Sequence, residues 1–446
     1  MSNLRNWLFC RILPITLAAS LFIQPALAAS QPQIPSGWSS PFSDVKAGQW
    51  FYPFVASLNS QGVIHGYDDG RFGPNDTTRA GDAMIMILKA AGSGTLEPLQ
   101  DTHYATSYAL YAVEQGWLAW EEIPSLTGPV SRLFIAQLAA KALGLSPAAD
   151  VESPFEDTDD PYVIALYQNG IIAGNQVGDQ LLFKPDSSIT RAEVSAIVWQ
   201  VQEYASYIHF NGQTLNILDN VPLNAYRSAS FALEGDRMTY TQADMKTALG
   251  VDVSSYQGTI NWKNVAKDGV DFAMIRAGGR YYGSGDLFED TRFRANVQGA
   301  SNAGLTVGVY FFSQATTPEE AREEAEFLLE RLEDYDITGP VAFDWENITY
   351  DTARTDSVDN ETLTAIADTF CRTIVEAGYT PMIYFNQYLA YLRYDLSQLT
   401  QYPFWLAQYG ETPSFRYHFH MWQYSEAGQV DGIQGKVDLN LLFLPQ

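Results

Sequence analysis

The sequence predicts a multidomain protein in which a mainly α-helical region of three repeats precedes an α/β domain built as an irregular TIM-like (β/α)5β3 barrel. The length of 446 residues exceeds that of one ordinary domain. A turn-rich unit recurs three times before residue 204, which is typical of a repeat architecture. After residue 246, short apolar strands alternate with amphipathic helices, and the last three strands follow one another without helices, which favours a barrel-like sheet.

The first 28 residues have the pattern of a secretory signal peptide. Two arginines accompany an apolar run from Ile12 to Ile23, and Ala26-Leu27-Ala28 forms a small-x-small cleavage site, so we expect cleavage after Ala28. An uncleaved membrane anchor is the alternative, but prolines interrupt the run, which is shorter than the ~20 residues of a membrane span. No later segment is apolar enough to span a bilayer, so we expect a secreted protein with no membrane span after cleavage.

The composition restricts both the redox chemistry and the partners. Cys10 lies in the predicted signal peptide, which leaves Cys371 in a helical apolar pattern, where it is most simply a buried thiol. An intramolecular disulfide is then impossible, and the cores alone must stabilise the exported protein. The formal net charge is −26 and both halves are acidic, so we expect no nucleic-acid partner.

The three N-terminal units share an Asp near the start, a turn-rich loop and an Arg that opens an apolar helix. They span residues 40–93, 97–146 and 153–203, and the middle unit is degenerate because it lacks the Gly-Tyr and Phe-x-Pro parts of the loop. The matching positions are Asp44, Asp101 and Asp157 for the acid and Arg79, Arg132 and Arg191 for the base. The Thr or Ser before each Arg is a predicted N-cap, so each unit is interpreted as helix, loop and helix.

These motifs resemble the S-layer homology module, most clearly in Thr78-Arg79-Ala80 of the first unit and Ile189-Thr190-Arg191-Ala192-Glu193 of the third. The resemblance implies an anchor, associated with the cell wall, that binds secondary cell-wall polymer non-covalently, often through a pyruvylated sugar. An Arg at a helix N-terminus suits a carboxylate, because its planar fork and the helix dipole both favour an anion. Arg79 and Arg191 are the stronger candidates and Arg132 the weaker. The alternative is that each Arg pairs with an acid between repeats.

Residues 204–246 are polar and lack a long apolar period, so we interpret them as a connector with some local structure. Asn211-Gly212 is a turn signal that predicts a small hairpin between Tyr207 and Leu218. The α/β domain then occupies residues 247–446.

Four acidic residues mark strand ends in this domain. In Val341-Ala342-Phe343-Asp344-Trp345-Glu346, an apolar strand runs into two carboxylates that share one face, since residues i and i+2 of a strand point the same way. Asp252 ends the first strand and Asp438 belongs to the last, and a closed barrel brings those two strands together. Neighbouring carboxylates whose pKa values differ are the equipment of acid-catalysed glycoside hydrolysis. The alternative for Asp344 and Glu346 is a pair of solvated acids at a strand end.

The order of motifs in this domain resembles glycoside hydrolase family 25, the Chalaropsis-type lysozymes. The matching segments include Gly250-Val251-Asp252-Val253-Ser254-Ser255-Tyr256-Gln257-Gly258, Phe343-Asp344-Trp345-Glu346, Trp405-Leu406-Ala407-Gln408-Tyr409, Trp422-Gln423-Tyr424-Ser425 and Gly435-Lys436-Val437-Asp438. The resemblance implies an N-acetylmuramidase that cuts the β-1,4 bond from N-acetylmuramic acid to N-acetylglucosamine in peptidoglycan. We expect no cofactor and no metal ion.

The resemblance assigns a role to each acid. Glu346 is the general acid that protonates the leaving oxygen and later the base that activates water, while Asp344 orients the 2-acetamido group or stabilises the oxocarbenium charge. Asp252 and Asp438 position the sugar and tune the pKa of Glu346. Substrate-assisted retention and inversion both stay open. The aromatic residues expected to stack on sugars are Tyr310, Tyr384, Trp405, Trp422 and Tyr424, with packing inside the barrel as the alternative.

Two other functions fit the sequence less well. A non-catalytic wall-binding or S-layer structural protein would carry a decayed barrel, and the four intact acids argue against it. A hydrolase of another N-acetylated glycan would keep the acids and differ in the mass of its products.

Overall fold

The computed structural model describes residues 32–148, 151–227, 230–242 and 245–445. The predicted signal peptide, residues 1–28, lies outside the described residues. Within them, no helix has both the length and the apolar character that crossing a membrane requires. The repeat region and the C-terminal barrel each surround an apolar core of their own, which confirms the predicted multidomain organisation.

The repeat region is built from helices joined by turn-rich loops. Its elements are α1 (Tyr52–Ser60), α2 (Ala80–Ala90), α3 (Thr106–Glu114), α4 (Arg132–Ala142), α5 (Pro161–Gln168), β1 (Asn175–Val177), β2 (Gln180–Leu182) and α6 (Arg191–Ala205), with one 3-10 turn at Trp120–Glu122. Helix α2 packs against both α4 and α6. Single β-bridges join the segments that precede these three helices, namely Thr77 to Thr190, Arg79 to Pro129 and Ser131 to Ser188. The three units therefore close around one shared core.

Two of the three predicted N-caps are present. The hydroxyl of Ser131 accepts a hydrogen bond from the backbone N–H of Phe134, and Thr190 caps α6 in the same way. The prediction for Thr78 is wrong, because α2 begins one residue later and Arg79 takes the N-cap position without a side-chain cap. The first N–H groups of α2 bond instead to backbone carbonyls of residues 126 and 128, so the helix start needs no hydroxyl.

The described residues of the connector are folded and pack on the barrel. Its first hairpin, β3 (Tyr207–Phe210) with β4 (Gln213–Asn216), confirms the predicted turn, and Asn211 and Gly212 have φ of 48° and 71°. Positive φ at both central residues is what an Asn-Gly hairpin turn requires. A second hairpin, β5 (Phe231–Glu234) with β6 (Arg237–Tyr240), was not predicted. Met238 and Tyr240 of this hairpin are buried in the same core as the barrel.

Eight strands close into the barrel. The elements are β7 (Met245–Val253), α7 (Trp262–Lys267), β8 (Phe272–Arg280), β9 (Leu287–Glu289), α8 (Phe293–Asn302), β10 (Thr306–Ser313), α9 (Pro318–Leu332), β11 (Val341–Trp345), α10 (Asn360–Glu376), β12 (Pro381–Asn386), α11 (Gln387–Leu392), β13 (Phe404–Ala407), β14 (Met421–Gly428) and β15 (Val437–Pro445), with 3-10 turns at Ser255–Gln257 and Leu396–Gln398. Strand β9 adds an antiparallel edge to β8 and lies outside the ring.

The ring runs in the order β7, β8, β10, β11, β12, β13, β14 and β15, and β15 returns to β7. Pairs from β7 to β14 are parallel, whereas β15 is antiparallel to both of its neighbours. Large side chains fill the interior, among them Phe272, Met274, Met382, Trp405 and Met421. A second apolar layer separates the strands from the surrounding helices and includes Cys371, whose predicted burial is confirmed.

Candidate active site

The four predicted acids meet at one open end of the barrel. Asp252 lies next to the end of β7 and Asp438 next to the start of β15, where the two residues are direct register partners. Asp344 lies on β11, and Glu346 directly follows that strand. All four line a single cleft of about 670 Å³. Residues from three separated segments therefore form one acidic site.

The position of Trp345 explains why its two neighbours face the cleft. Trp345 is 1% exposed, belongs to the core between strands and helices, and donates its Nε1–H to the carbonyl of Ala315 at 3.2 Å. Because strand side chains alternate, Asp344 and Glu346 point the other way, into the mouth of the barrel. Asp344 is buried at 6% exposure, whereas Glu346 is half-buried and reaches the open part of the cleft.

Burial raises the pKa of each of the four predicted acids. For Asp344, loss of water is the largest cause of the raised pKa and the charge of Glu346 is the next. Loss of water also raises the pKa of Glu346, although a hydrogen bond with Asp344 opposes it. For Asp438, burial and then the charge of Asp252 raise the pKa to about 8. The cleft thus retains protons near neutral pH, as general acid catalysis requires.

Asp252 and Asp344 are held differently. Oδ2 of Asp252 accepts hydrogen bonds from Gln423 Nε2 at 2.9 Å and Asn440 Nδ2 at 2.8 Å. These two bonds oppose the rise in the pKa of Asp252 that burial causes. Asn440 is fixed in turn, because its Oδ1 accepts the indole N–H of Trp405 at 2.8 Å. By contrast, Oδ1 of Asp344 is buried without a hydrogen-bond partner among the described residues, which leaves it available to a ligand.

Gln314 fixes the backbone at Glu346. Its Nε2 donates to the carbonyls of Ser313 and Glu346, both at 2.9 Å, and its Oε1 accepts from the hydroxyl of Thr355 at 3.2 Å. The Gln314 residue is completely buried. The chain beyond β11 is therefore tied to the end of β10, which holds the Glu346 backbone in place.

Three of the five predicted aromatic residues lie beside the acids. Tyr310 lines the cleft, and its ring centroid is 6.2 Å from that of Trp405. Tyr384 packs edge-on against Trp405 at 4.8 Å and donates its hydroxyl to Gln423 Oε1 at 3.0 Å. Trp405 is 1% exposed and belongs to the interior cluster, so packing inside the barrel describes its position better than sugar stacking does.

Trp422 and Tyr424 lie on the other side of β14, away from the acids. Trp422 donates its Nε1–H to the carbonyl of Gln408 at 2.7 Å, and the Tyr424 hydroxyl donates to the carbonyl of Asp236 at 3.0 Å. Both side chains are buried in the core of this chain, so the structure corrects the expectation that they stack on a sugar in the cleft. The reason is strand alternation, since Gln423 between them is the residue that faces the acids.

The cleft also contains residues that the sequence motifs did not single out. The wall beside Asp252 is lined by Tyr256, Arg276, Tyr281, Tyr282, Phe288 and Tyr350. Tyr256 and Tyr350 are 86% and 77% exposed, which makes them open aromatic surfaces for a sugar face. Tyr256 stands inside the motif that opens the domain, so the sequence did carry a signal for it. Tyr350 lies in an irregular loop, where no periodicity indicates its direction.

Arg276 contributes a positive charge to this wall. Its guanidinium bonds to the buried carboxylate of Asp290 at 2.7 Å and lies 5.3 Å from the ring centroid of Tyr256. The charge of Arg276 lowers the pKa of Asp344 and so opposes part of the effect of burial. Arg276 lies in the middle of β8.

A separate groove of about 480 Å³ lies in the repeat region and is lined by both Arg79 and Arg191. Arg191 is 7% exposed and donates to the carbonyls of Phe72 at 2.8 Å and His65 at 2.7 Å. Arg79 is exposed, and its guanidinium makes no ion pair within the described part of the chain. Arg132 lies outside this groove, where it donates to the carbonyl of Phe183 at 2.8 Å and pairs with Glu193 at 3.4 Å. Of the three arginines, Arg132 is therefore the one that pairs with an acid of another repeat, as the alternative interpretation expected.

Residues 251–433 match the family model of glycosyl hydrolases family 25, and residues 41–80 and 157–195 match the S-layer homology domain. The C-terminal domain belongs to glycosyl hydrolase family 25. It is therefore a glycoside hydrolase domain, and it is joined to an S-layer homology region. The middle repeat, residues 97–146, stays a prediction.

Two curated relatives and one solved structure are similar to part of this chain. Lysozyme M1 of Streptomyces globisporus is 29% identical over 217 residues, which are 46% of this chain and 71% of that protein. The autolytic lysozyme of Clostridium acetobutylicum is 27% identical over 193 residues, 43% of this chain and 54% of that protein. A family 25 glycosyl hydrolase structure from Bacillus anthracis is 26% identical, covers 46% of this chain and 91% of its own, and has a TM-score of 0.39.

Proposed function

We propose that the protein is a wall-anchored peptidoglycan hydrolase that cleaves the β-1,4 bond between N-acetylmuramic acid and N-acetylglucosamine. The observation that carries the proposal is the meeting of Asp252, Asp344, Glu346 and Asp438 in one cleft. Gathering four acids in one cleft, two of them buried, costs stability, and such a cost is typical of catalytic sites. The family 25 membership of the domain and the names of its two lysozyme relatives support the substrate class.

In this mechanism Glu346 donates the proton to the leaving oxygen. It reaches the open cleft from the end of β11, and burial keeps its pKa raised. Asp344 lies deeper, where its unpartnered Oδ1 is available to bind the 2-acetamido N–H of the sugar or to stabilise the developing positive charge. Once the leaving sugar departs, the carboxylate of Glu346 takes a proton from water. Asp252 and Asp438 position the sugar from the neighbouring strands.

The aromatic wall would hold the glycan strand. Tyr310 lies next to the acids and Tyr384 supports Gln423, while Trp405 packs below as their floor. Exposed rings stack on the apolar faces of sugars, which is a role that Tyr256 and Tyr350 also fit.

The repeat region would bind secondary cell-wall polymer through the groove of Arg79 and Arg191. The exposed Arg79 guanidinium suits an acidic sugar, and Arg191 shapes the groove from beneath. Attachment raises the effective concentration of substrate around the barrel. This arrangement assigns the chain to the outside of the cell, with residues 1–28 as a signal peptide, residues 40–93, 97–146 and 153–203 as a mainly α-helical anchor, and residues 247–446 as a (β/α)5β3 catalytic barrel.

The test is mass analysis of the fragments that the protein releases from purified sacculi, with reduction of the new ends before hydrolysis. A muramidase leaves N-acetylmuramic acid at the new reducing end, so muramitol is the expected product. Glu346→Gln is expected to remove release, because a single lost proton donor costs about 10²- to 10⁴-fold. The matched control is Glu376→Gln, which makes the same change on the exposed end of α10 and should release fragments at the wild-type rate.

The outcomes separate the alternatives. Glucosaminitol as the new end would contradict the proposed bond, and cleavage of chitin oligomers in preference to sacculi would favour another N-acetylated glycan. No fragments from any variant, with sacculi still bound, would favour a non-catalytic wall protein.

A further inference from the structure

The hairpin β5–β6 of the connector reaches the loop that leads into Asp438. We propose that Arg237 of this hairpin is a positioning residue for the active site, which fixes residues 429–436 (the β14–β15 loop) and through them Asp438. The proposal rests on the hydrolase function stated above. Arg237 lies outside residues 251–433, which match the family model, so it is a feature of this chain's own connector.

Arg237 connects three parts of the chain. One guanidinium nitrogen donates both to the carbonyl of Gln429 at 2.9 Å and to Oδ2 of Asp268, after α7, at 2.6 Å. The other terminal nitrogen, Nη1, donates to Oδ1 of the adjacent Asp236 at 2.5 Å. The side chain is only 24% exposed, so these charge-assisted bonds are partly shielded from water.

Both carboxylates beside Arg237 also bind the loop directly. Oδ2 of Asp236 accepts the backbone N–H of Gln429 at 2.7 Å, and Oδ2 of Asp268 accepts that of Asp431 at 3.1 Å. Arg237 therefore neutralises the two acids that hold the loop backbone. Without it, Asp236 and Asp268 would lose their shared counter-ion, and the loop would lose the bond to the Gln429 carbonyl.

The loop in turn sets the position of Asp438. Gly428 and Val437 are register partners that close the loop, and the next residue, Asp438, pairs with Asp252. The hairpin itself is firmly seated, because Met238 is 2% exposed and its N–H donates to the Tyr424 hydroxyl at 3.2 Å. A displacement of the loop would thus move a carboxyl group of the cleft rather than an exposed loop tip.

The experiment compares full-length Arg237→Ala and Arg237→Lys with wild type on soluble, uncross-linked glycan strands, well below every unfolding midpoint. For Arg237→Ala we expect kcat to fall about tenfold with KM within about twofold, since small misplacements of catalytic groups act on the chemical step. Arg237→Lys keeps the charge and should recover most of kcat. Arg227→Ala is the control, because Arg227 is on the same connector but pairs with the exposed Glu114 of the repeat region, and it should behave as wild type.

The results decide between positioning and simple stabilisation. A lower unfolding midpoint with unchanged kcat in Arg237→Ala would overturn the proposal and leave the hydrolase function intact. An inactive wild type would instead overturn the function. Should Arg237→Ala fail to fold, Asp268→Asn decides, because it keeps an acceptor for Asp431 but weakens the bond to Arg237. An unchanged kcat in that variant also overturns the proposal.

Discussion

Asp438 and Asp252 are direct partners in the antiparallel pairing of β15 with β7, although they stand near opposite ends of the C-terminal domain. The same pairing closes the barrel. Two carboxyl groups so placed repel each other when both ionise, and the charge of Asp252 adds to the effect of burial on the pKa of Asp438. The pairing of β15 with β7 therefore both closes the barrel and brings Asp438 and Asp252 together.

This pair predicts how stability depends on pH. The pKa of Asp438 is about 8 in the folded protein, whereas an aspartate in an unfolded chain has a pKa of about 3.9. Between these values the folded state keeps a proton that the unfolded state has lost, so this group's contribution to stability falls as pH rises from about 4 to about 8. Asp438→Asn cannot ionise and should lose less stability over that window. Denaturant unfolding at both ends of the window measures the difference.

The control for this measurement is Asp334→Asn, an exposed position far from the cleft, which should follow the wild-type pH dependence. Equal pH dependence in wild type and Asp438→Asn would contradict the raised pKa.

Replacement of Asn440 by Leu should damage both folding and activity. The change leaves Asp252 with one amide donor fewer and the indole N–H of Trp405 without its acceptor, both in buried positions. A loss on the order of 1–3 kcal/mol in the free energy of unfolding is expected for a buried group left unpaired. Calorimetry and the rate of fragment release measure the two effects. Asn302→Leu, exposed at the end of α8, is the control, and equal loss in both variants would sink the interpretation.

Substitution of the two arginines of the repeat groove should affect the free energy of unfolding differently. Arg191→Ala leaves the carbonyls of Phe72 and His65 without their donor and is expected to cost on the order of 1–3 kcal/mol, together with wall binding. Arg79→Ala removes an exposed side chain, so it should abolish wall binding with a change in stability of no more than about 0.5 kcal/mol. Co-sedimentation with sacculi and denaturant unfolding test both. Lys46→Ala is the exposed control, and full wall binding by Arg79→Ala would refute the assignment.

The thiol of Cys371 should not react with thiol reagents in the native protein. It is fully buried on α10, and burial raises its pKa well above the usual range. A thiol reagent such as Ellman's reagent should therefore label it only when the barrel unfolds. Rapid labelling of the native protein would show that α10 opens locally, and the same protein in guanidinium provides the full-labelling reference.

The sequence predicts those parts of the site that are encoded by short-range patterns. Alternation around Trp345 placed Asp344 and Glu346 on one face, and the closed sheet brought in Asp252 and Asp438. The same alternation failed for Trp422 and Tyr424, because a run of apolar and polar residues on a strand buried on both sides does not show which face is inward. Gln423 was the inward residue there, and its amide was the better indicator.

Short-range sequence patterns did not predict the loops of the site or its long-range contacts. Tyr350 lies on an irregular segment, and the two strands of the hairpin that carries Arg237 have four residues each, too few to show that it packs on the barrel. Its role depends on hydrogen bonds to Gln429 and Asp268, which are remote in sequence. Repeat periodicity located Arg79 and Arg191 but could not distinguish the exposed guanidinium from the buried one.

A single residue separates the end of α6 from the start of β3, and the described part of the connector contributes Ile208, Val221, Met238 and Tyr240 to the core of the barrel. The short junction therefore leaves little freedom of movement between the repeat region, which would bind the wall, and the barrel, which would hydrolyse it. A molecule fixed at one spot can sweep no wider than its own dimensions, so wide clearance of the wall would demand release and rebinding elsewhere. The lifetime of attachment, rather than the rate of bond cleavage, would then govern how much wall each molecule trims.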